Sequence, residues 1–106
     1  MRTNIHIIDG DGLEENALVT SRKSAELTIH YPLRVYVKVK VVGQDNNDGE
    51  GPQIRVEDVL NAIQAVYRKI YANQKKYGVW GHGLGDLYLE KIEETEPGKL
   101  AISIGS

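Results

Sequence analysis

The sequence has no cysteine and no phenylalanine, and it contains only one methionine and one tryptophan among its 106 residues. Without cysteine there is no disulfide, no thiolate zinc ligand and no thiol nucleophile within these residues. Without phenylalanine an apolar core has to be aliphatic, and the 29 leucines, isoleucines and valines are enough to build one with help from the six tyrosines. The length is that of one domain, so we expect residues 1–106 to fold as a single unit.

An excess of charge of either sign is also lacking. Thirteen basic and fifteen acidic residues leave a net charge of -2, which argues against a dedicated nucleic-acid or membrane-surface binder. No apolar run approaches the length of a membrane span, and the N-terminus has no signal-peptide pattern. Together with the missing cysteines, these features predict an intracellular, cytoplasmic protein that has no membrane partner.

The clearest pattern present is an alternating strand that leads, through a polar loop, into an amphipathic helix. One face of the strand carries Val35, Val37, Val39 and Val41, and the other carries Arg34, Tyr36, Lys38 and Lys40. This period of two predicts one buried face and one face that meets solvent or a ligand. Leu27, Ile29 and Tyr31 alternate upstream, and Pro32 marks an edge, a bulge or a turn. The pattern leaves open whether residues 26–42 form one bent strand or a hairpin.

The helix is predicted from Glu57 to Lys76. Its apolar positions follow the spacing of one helical face: Val59, Leu60, Ile63, Val66, Tyr67, Ile70 and Tyr71. Acidic residues lie at its start and lysines at its end, as the helix dipole favours, and Gly78 is placed to end it.

Shorter patterns complete the predicted architecture. Residues 4–8 and 87–92 are predicted strands, and residues 100–104 form a second strand of a C-terminal hairpin after a Pro97-Gly98 turn of type II. Residues 13–25 are interpreted as a loop, residues 1–25 as a mobile N-terminal segment and residues 43–53 as a flexible loop. The predicted fold class is α+β: a mostly antiparallel sheet of four or five strands, with one long amphipathic helix on one face, in the order β-β-(β)-α-β-β.

The segment 26–104 resembles a domain family of unknown function that is widespread in mushroom-forming fungi. The resemblance rests on the strand RVYVKVKV, the glycine-rich gap, the later GLGDLYLEKIEE and the helix motif formed by Val56, Asp58, Val59, Leu60, Ala62 and Ile63. It implies the fold and no catalytic residue, because the family has no assigned activity.

Two sets of residues are candidate binding sites. Tyr36, Lys38 and Lys40 share the predicted solvent face of the strand, and aromatic and basic side chains on a sheet can bind single-stranded nucleic acid. Trp80, His82 and Asp86 lie in a loop with three glycines, which let a ligand approach the backbone closely. The alternative interpretation of that loop is a helix-to-strand connection in which Trp80 plugs the end of the core.

No cofactor, metal site or catalytic residue is predicted. The loop lacks the dinucleotide fingerprint, because the fingerprint requires a strand before it and a helix after it. His6, His30 and His82 lie far apart and would have to converge to bind zinc. No nucleophile elbow is present.

The leading functional hypothesis is therefore a non-enzymatic protein-interaction or self-assembly domain. Its partner is another protein or a second copy, in a homo-oligomer formed through a sheet edge or face. The valine strand and residues 100–104 are the expected edges. The first alternative is nucleic-acid binding through the Tyr/Lys face, and the second is a small-ligand pocket at the Trp80–Asp86 loop.

Overall fold

The structure, a computed structural model, describes residues 1–44 and 51–106. A five-stranded sheet is formed by β1 (Arg2–His6), β3 (Ser24–Ile29), β4 (Val37–Val42), β6 (Tyr88–Glu96) and β7 (Lys99–Gly105), in the spatial order β1-β6-β7-β3-β4. The remaining elements are β2 (Leu18–Thr20), β5 (Ile54–Arg55), the helices α1 (Val56–Tyr71) and α2 (Gln74–Tyr77), and a short 3-10 helix (Leu84–Asp86). The predicted α+β class, a mostly antiparallel sheet with one long helix packed against it, is confirmed.

The valine strand forms a hairpin with the strand before it. Residues of β3 and β4 pair antiparallel from Ser24 opposite Val42 to Ile29 opposite Val37. The two alternatives for residues 26–42 are thus decided in favour of a hairpin, whose connection contains the cis peptide bond between Tyr31 and Pro32. Because β4 begins only at Val37, Val35 and Tyr36 belong to this connection and not to the strand face on which the sequence placed them.

Helix α1 packs its apolar stripe against the sheet. The stripe is buried at Val56, Val59, Leu60, Ile63, Tyr67 and Ile70, while Val66 and Tyr71 are half-buried. The predicted single helix to Lys76 is interrupted at Asn73, whose φ of -137° and ψ of 53° are not helical. The side-chain amide of Asn73 donates to the Lys69 carbonyl at 3.3 Å, a local bond that competes with the regular helix ladder. As predicted, Gly78 ends the second helix in the left-handed region, at a φ of 65°.

The N-terminal segment is part of the fold. Ile5 and Ile7 belong to the hydrophobic core, and β2 pairs antiparallel with β5 at the entrance to α1. Strands therefore begin at Leu18 and Ser24, where the sequence predicted a loop. Asn16 accepts a hydrogen bond from the Glu57 amide at 2.9 Å, so this segment also satisfies a free donor of the first helical turn.

The predicted C-terminal hairpin is present and longer than expected. Its strands β6 and β7 meet at a turn in which Gly98 has a φ of 81°, as the second central position of a type II turn requires. The expectation that residues 100–104 form a sheet edge is wrong, because β7 lies between β6 and β3 and pairs with β3 in parallel. Of the predicted 43–53 loop, residues 45–50 lie outside the described part of the chain, and Gln44 forms a bridge with Gln53.

Candidate binding surfaces

Lys38 and Lys40 project from β4 on the face opposite the helix. Both are exposed, whereas Val39 and Val41 between and after them are buried. Tyr36 is separate from this pair: it is 73% exposed and stacks on His30 with ring centroids 4.2 Å apart. The structure thus keeps the two lysines together and places the tyrosine beside them, in the hairpin connection.

The lysine face also carries acidic charge. Glu26 lies opposite Lys40 in the β3–β4 register and Thr28 lies opposite Lys38. A hydrogen bond and the charge of Lys99, followed by the charge of Lys38, lower the pKa of Glu26. The carboxylate of Glu26 lies 3.1 Å from the ammonium of Lys99 on β7. Among the described residues, neither Lys38 nor Lys40 has an ion-pair partner within 4.0 Å.

The two edges of the sheet differ in how they are covered. At β1 the outward-facing His6 amide donates to the Asp11 carbonyl at 2.8 Å, and Gly12 packs against the backbone of Asn4. A turn thus protects this edge, which is a common defence against edge-to-edge pairing. At β4 no strand of the described residues pairs with the outer side between Val37 and Val42. Within residues 1–44 and 51–106, the β4 edge is the accessible one.

The loop with three glycines packs against the β3–β4 connection. The Trp80 amide donates to the Pro32 carbonyl at 3.0 Å, and the Arg34 amide donates to the Tyr77 carbonyl at 3.1 Å. These bonds bring the rings of Tyr31, Trp80 and His82 into one cluster, with centroids 5.6–6.0 Å apart. Trp80 remains 46% exposed, so it covers the end of the core without being enclosed in it.

Polar groups of this cluster bond to the neighbouring hydroxyls of Tyr71 and Ser106. The Tyr71 hydroxyl donates to the His82 carbonyl at 2.9 Å, and the Ser106 hydroxyl lies 3.1 Å from the Tyr31 hydroxyl and 3.4 Å from Nε2 of His82. A serine activated by histidine needs a shorter contact and a third group to orient the ring. No carboxylate of the described residues contacts His82, so the pair does not form a catalytic triad.

Asp86, the third candidate in this loop, has a local structural role. Its carboxylate accepts a hydrogen bond from the Gly83 amide at 3.0 Å, closing the short 3-10 helix. Burial, and then the negative charge of Asp86, raise the pKa of Tyr71. Asp86 is therefore used to shape the loop that carries His82.

The three histidines are held in separate local contacts. His6 lies 3.2 Å from the Asp9 carboxylate and 2.5 Å from the Gly85 carbonyl, while His30 contacts the Val35 carbonyl at 3.4 Å. Within residues 1–44 and 51–106, no group of three or more histidine, aspartate and glutamate side chains is arranged to hold a metal ion.

Sequence reasoning missed a groove beside β1. It has a volume of about 610 Å³ and lies between the strand and residues 12–17, with Ile5 and Val56 among its buried lining residues. Its rim carries both Arg2 and Glu14, so its charge does not select one class of ligand. No signal in the sequence places residues 12–17 next to β1, because that contact depends on the turn at Gly12.

Comparisons with protein-family models, with curated proteins and with solved structures find no match to this chain. The resemblance to the fungal family stays a prediction.

Across the described residues, none of the helices combines the length and the apolar character that crossing a bilayer requires.

A buried tyrosine beneath the aromatic cluster is expected to make the free energy of unfolding depend on pH in the alkaline range. Tyr67 is fully buried, its hydroxyl donates to the Tyr31 carbonyl at 2.6 Å, and burial raises its pKa well above the ordinary value. Above about pH 10 the unfolded chain loses this proton while the folded chain keeps it. We therefore expect the free energy of unfolding to fall as pH rises above 10, by up to about 1.4 kcal/mol per pH unit for this group.

Urea unfolding at pH 7 to 11.5 measures this dependence. Tyr67→Phe should flatten the alkaline decline, and at pH 7 it should cost about 1–3 kcal/mol, because the Tyr31 carbonyl loses its donor. Tyr36→Phe, at an exposed ring, is the matched control and should change neither quantity. An alkaline decline that is equally steep in Tyr67→Phe would contradict the assignment.

Proposed function

We propose that this domain is a non-enzymatic protein-interaction module whose docking site is the outer edge of β4. One observation carries the proposal: β4 ends the sheet, and its outer side is unpaired in the described part of the chain, whereas the edge of β1 is covered by the turn at residues 9–12. An uncovered edge presents backbone donors and acceptors to an incoming strand.

The exposed apolar side chains support the same site. Seven large hydrophobic side chains are exposed among the described residues, and three of them, Val35, Tyr36 and Val42, flank or belong to β4. Val42 is 59% exposed at the end of the strand. Apolar side chains at the two ends of an open edge add contact area to the backbone pairing.

The two alternatives from the sequence receive less support. Nucleic-acid binding required an aromatic and basic strand face, but Tyr36 lies outside the strand and Glu26 lies opposite Lys40. In the Trp80–Asp86 loop, the rings of Trp80 and His82 contact Tyr31 and Ser106, and the groove beside β1 does not include this loop.

Removing the two lysines tests whether the edge can pair. Lysines on an edge strand oppose pairing between copies, so Lys38→Thr/Lys40→Thr should promote association through β4. We expect light scattering behind size exclusion to show the mass of this variant rising from the monomer value of 11.8 kDa toward twice that value with concentration.

The matched control is Lys75→Thr/Lys76→Thr, which removes the same charge from exposed positions of α2. It should keep the mass of the unsubstituted chain. A β4 variant that stays monomeric at every concentration, or a control that associates to the same degree, would count against an accessible β4 edge.

A further inference from the structure

The charge along the open edge specifies what kind of strand it accepts, and this inference rests on the proposed function. We propose that the β4 edge binds an extended segment of another protein in which acidic and apolar residues alternate, rather than a second copy of this chain.

Lys38 and Lys40 are the charges that an added strand would meet. They lie two residues apart, so they project from the same face of the sheet about 6–7 Å apart along the strand. The acidic neighbour Glu26 is held by Lys99, and neither β4 lysine has an ion-pair partner in the described residues. A partner strand with carboxylates at alternate positions would place one opposite each lysine, an arrangement that stabilises cross-strand pairs.

A second copy of β4 does not meet this requirement. In an antiparallel pair of β4 strands related by a two-fold axis perpendicular to the sheet, both copies of α1 lie on the same side of the joined sheet. Residues directly opposite each other in the two strands then project from the same face. The two registers that align five residues of each strand, centred on Val39 and on Lys40, both place one lysine directly opposite another. Like charges in that position are destabilising.

The other edge of the sheet is equally unsuitable as a partner. β1 contains Arg2 and His6 and no acidic residue, and the turn at residues 9–12 already occupies part of its outer side. Head-to-tail pairing of β4 with β1 of the next copy would bring basic side chains together. Charge therefore opposes the most extensive β4–β4 registers and the head-to-tail pairing of β4 with β1.

The apolar residues of the proposed partner strand are inferred from the face of β4 that packs toward the helix. Val37, Val39 and Val41 point toward the helix side, and Val39 and Val41 are buried. Residues of an added strand that alternate with the carboxylates would lie on this same side and extend the apolar layer. Their apolar character would also exclude water from the new backbone hydrogen bonds.

Three synthetic peptides, used with the whole chain, test the inference. They are a blocked octapeptide of alternating glutamate and valine, the same peptide with lysine in place of glutamate, and the glutamate peptide with every amide N-methylated. Fluorescence anisotropy of labelled peptides measures binding, and hydrogen exchange over residues 37–42 reports the site. We expect the acidic peptide to bind at least about tenfold more tightly than the lysine peptide and to protect β4 amides.

Charge reversal gives the decisive comparison. Lys38→Glu/Lys40→Glu should reverse the preference and bind the lysine peptide, while Lys75→Glu/Lys76→Glu should keep the original preference. The N-methylated peptide keeps the charge but cannot donate backbone hydrogen bonds, so it should not bind. Equal binding of the N-methylated peptide, or an unchanged preference after charge reversal at β4, would overturn the inference.

Failure of this inference can be distinguished from failure of the proposed function. If no peptide binds but Lys38→Thr/Lys40→Thr associates through β4, the edge is open and only the acidic partner is wrong. If no peptide binds and that variant stays monomeric, both proposals are wrong.

Discussion

Replacing Ile63 with alanine is expected to lower the free energy of unfolding by about 2–5 kcal/mol. Ile63 is completely buried at the middle of the α1 stripe. The substitution removes the side-chain atoms beyond Cβ together with their contacts and leaves a cavity. A close-packed core refills such a cavity only in part. Because a domain is typically stable by only about 5–15 kcal/mol, the loss is a large fraction of the total.

The measurement is urea unfolding followed by circular dichroism, at pH 7 and fixed temperature. Arg68→Ala, on the exposed face of the same helix, is the control and should stay within about 0.5 kcal/mol of the unsubstituted chain. A loss below 1 kcal/mol at Ile63 with an unchanged slope against urea would show that α1 does not pack as described.

The same one-sided burial explains why this part of the fold could be predicted from the sequence. A helix and a strand that each bury one face carry a period of 3.6 or of two, and both α1 and β4 show it clearly. The C-terminal hairpin could be predicted for a second reason, because Pro97 and Gly98 suit a type II turn.

The arrangement of the strands could not be predicted in the same way. The parallel pairing of β7 with β3 joins residues more than 70 positions apart, and no local pattern encodes it. This single contact moves β7 from an expected edge to the interior of the sheet and leaves β4 as the outermost strand. The pairing of β2 with β5 was missed because strands of three and two residues are too short to show a period.

The sequence identified individual residues of the candidate surfaces, but not which of them lie next to one another in the fold. Lys38 and Lys40 were correctly placed on the solvent face, because alternation alone determines it. Tyr36 was placed with them by the same alternation, although the turn at Pro32 delays the start of the strand to Val37. Tyr31, which joins Trp80 and His82 in the ring cluster, was assigned to a strand face and its contact with the later loop was not foreseen.

Substitution of Gly12 by alanine is expected to destabilise the domain by about 3 kcal/mol and to uncover the second edge of the sheet. Gly12 has a φ of 98°, which costs a residue with a side chain about 1–2 kcal/mol. A Cβ atom at this position would collide with the Asn4 carbonyl oxygen of β1 and lie 3.2 Å from its carbonyl carbon. Backbone atoms cannot rotate away, so we add about 1–3 kcal/mol for overpacking.

Gly81→Ala isolates the contact from the backbone strain. Gly81 has a similar φ of 73°, but nothing lies within 4 Å of the atom that would be added. Its substitution should therefore cost only the conformational part, and the difference between the two variants in urea unfolding measures the contact with Asn4. Equal losses would mean that the turn does not press against β1.

The functional consequence concerns the edge that Gly12 helps to cover. If the turn at residues 9–12 moves away to relieve the collision, the bond from the His6 amide to the Asp11 carbonyl is lost and the outer side of β1 becomes accessible. Hydrogen exchange at His6 should then accelerate in Gly12→Ala and remain unchanged in Gly81→Ala. A sheet with two open edges also pairs less selectively, so Gly12→Ala should associate or aggregate more readily on concentration. If exchange at His6 stays slow while stability falls, the turn still covers β1 and the two edges differ for another reason.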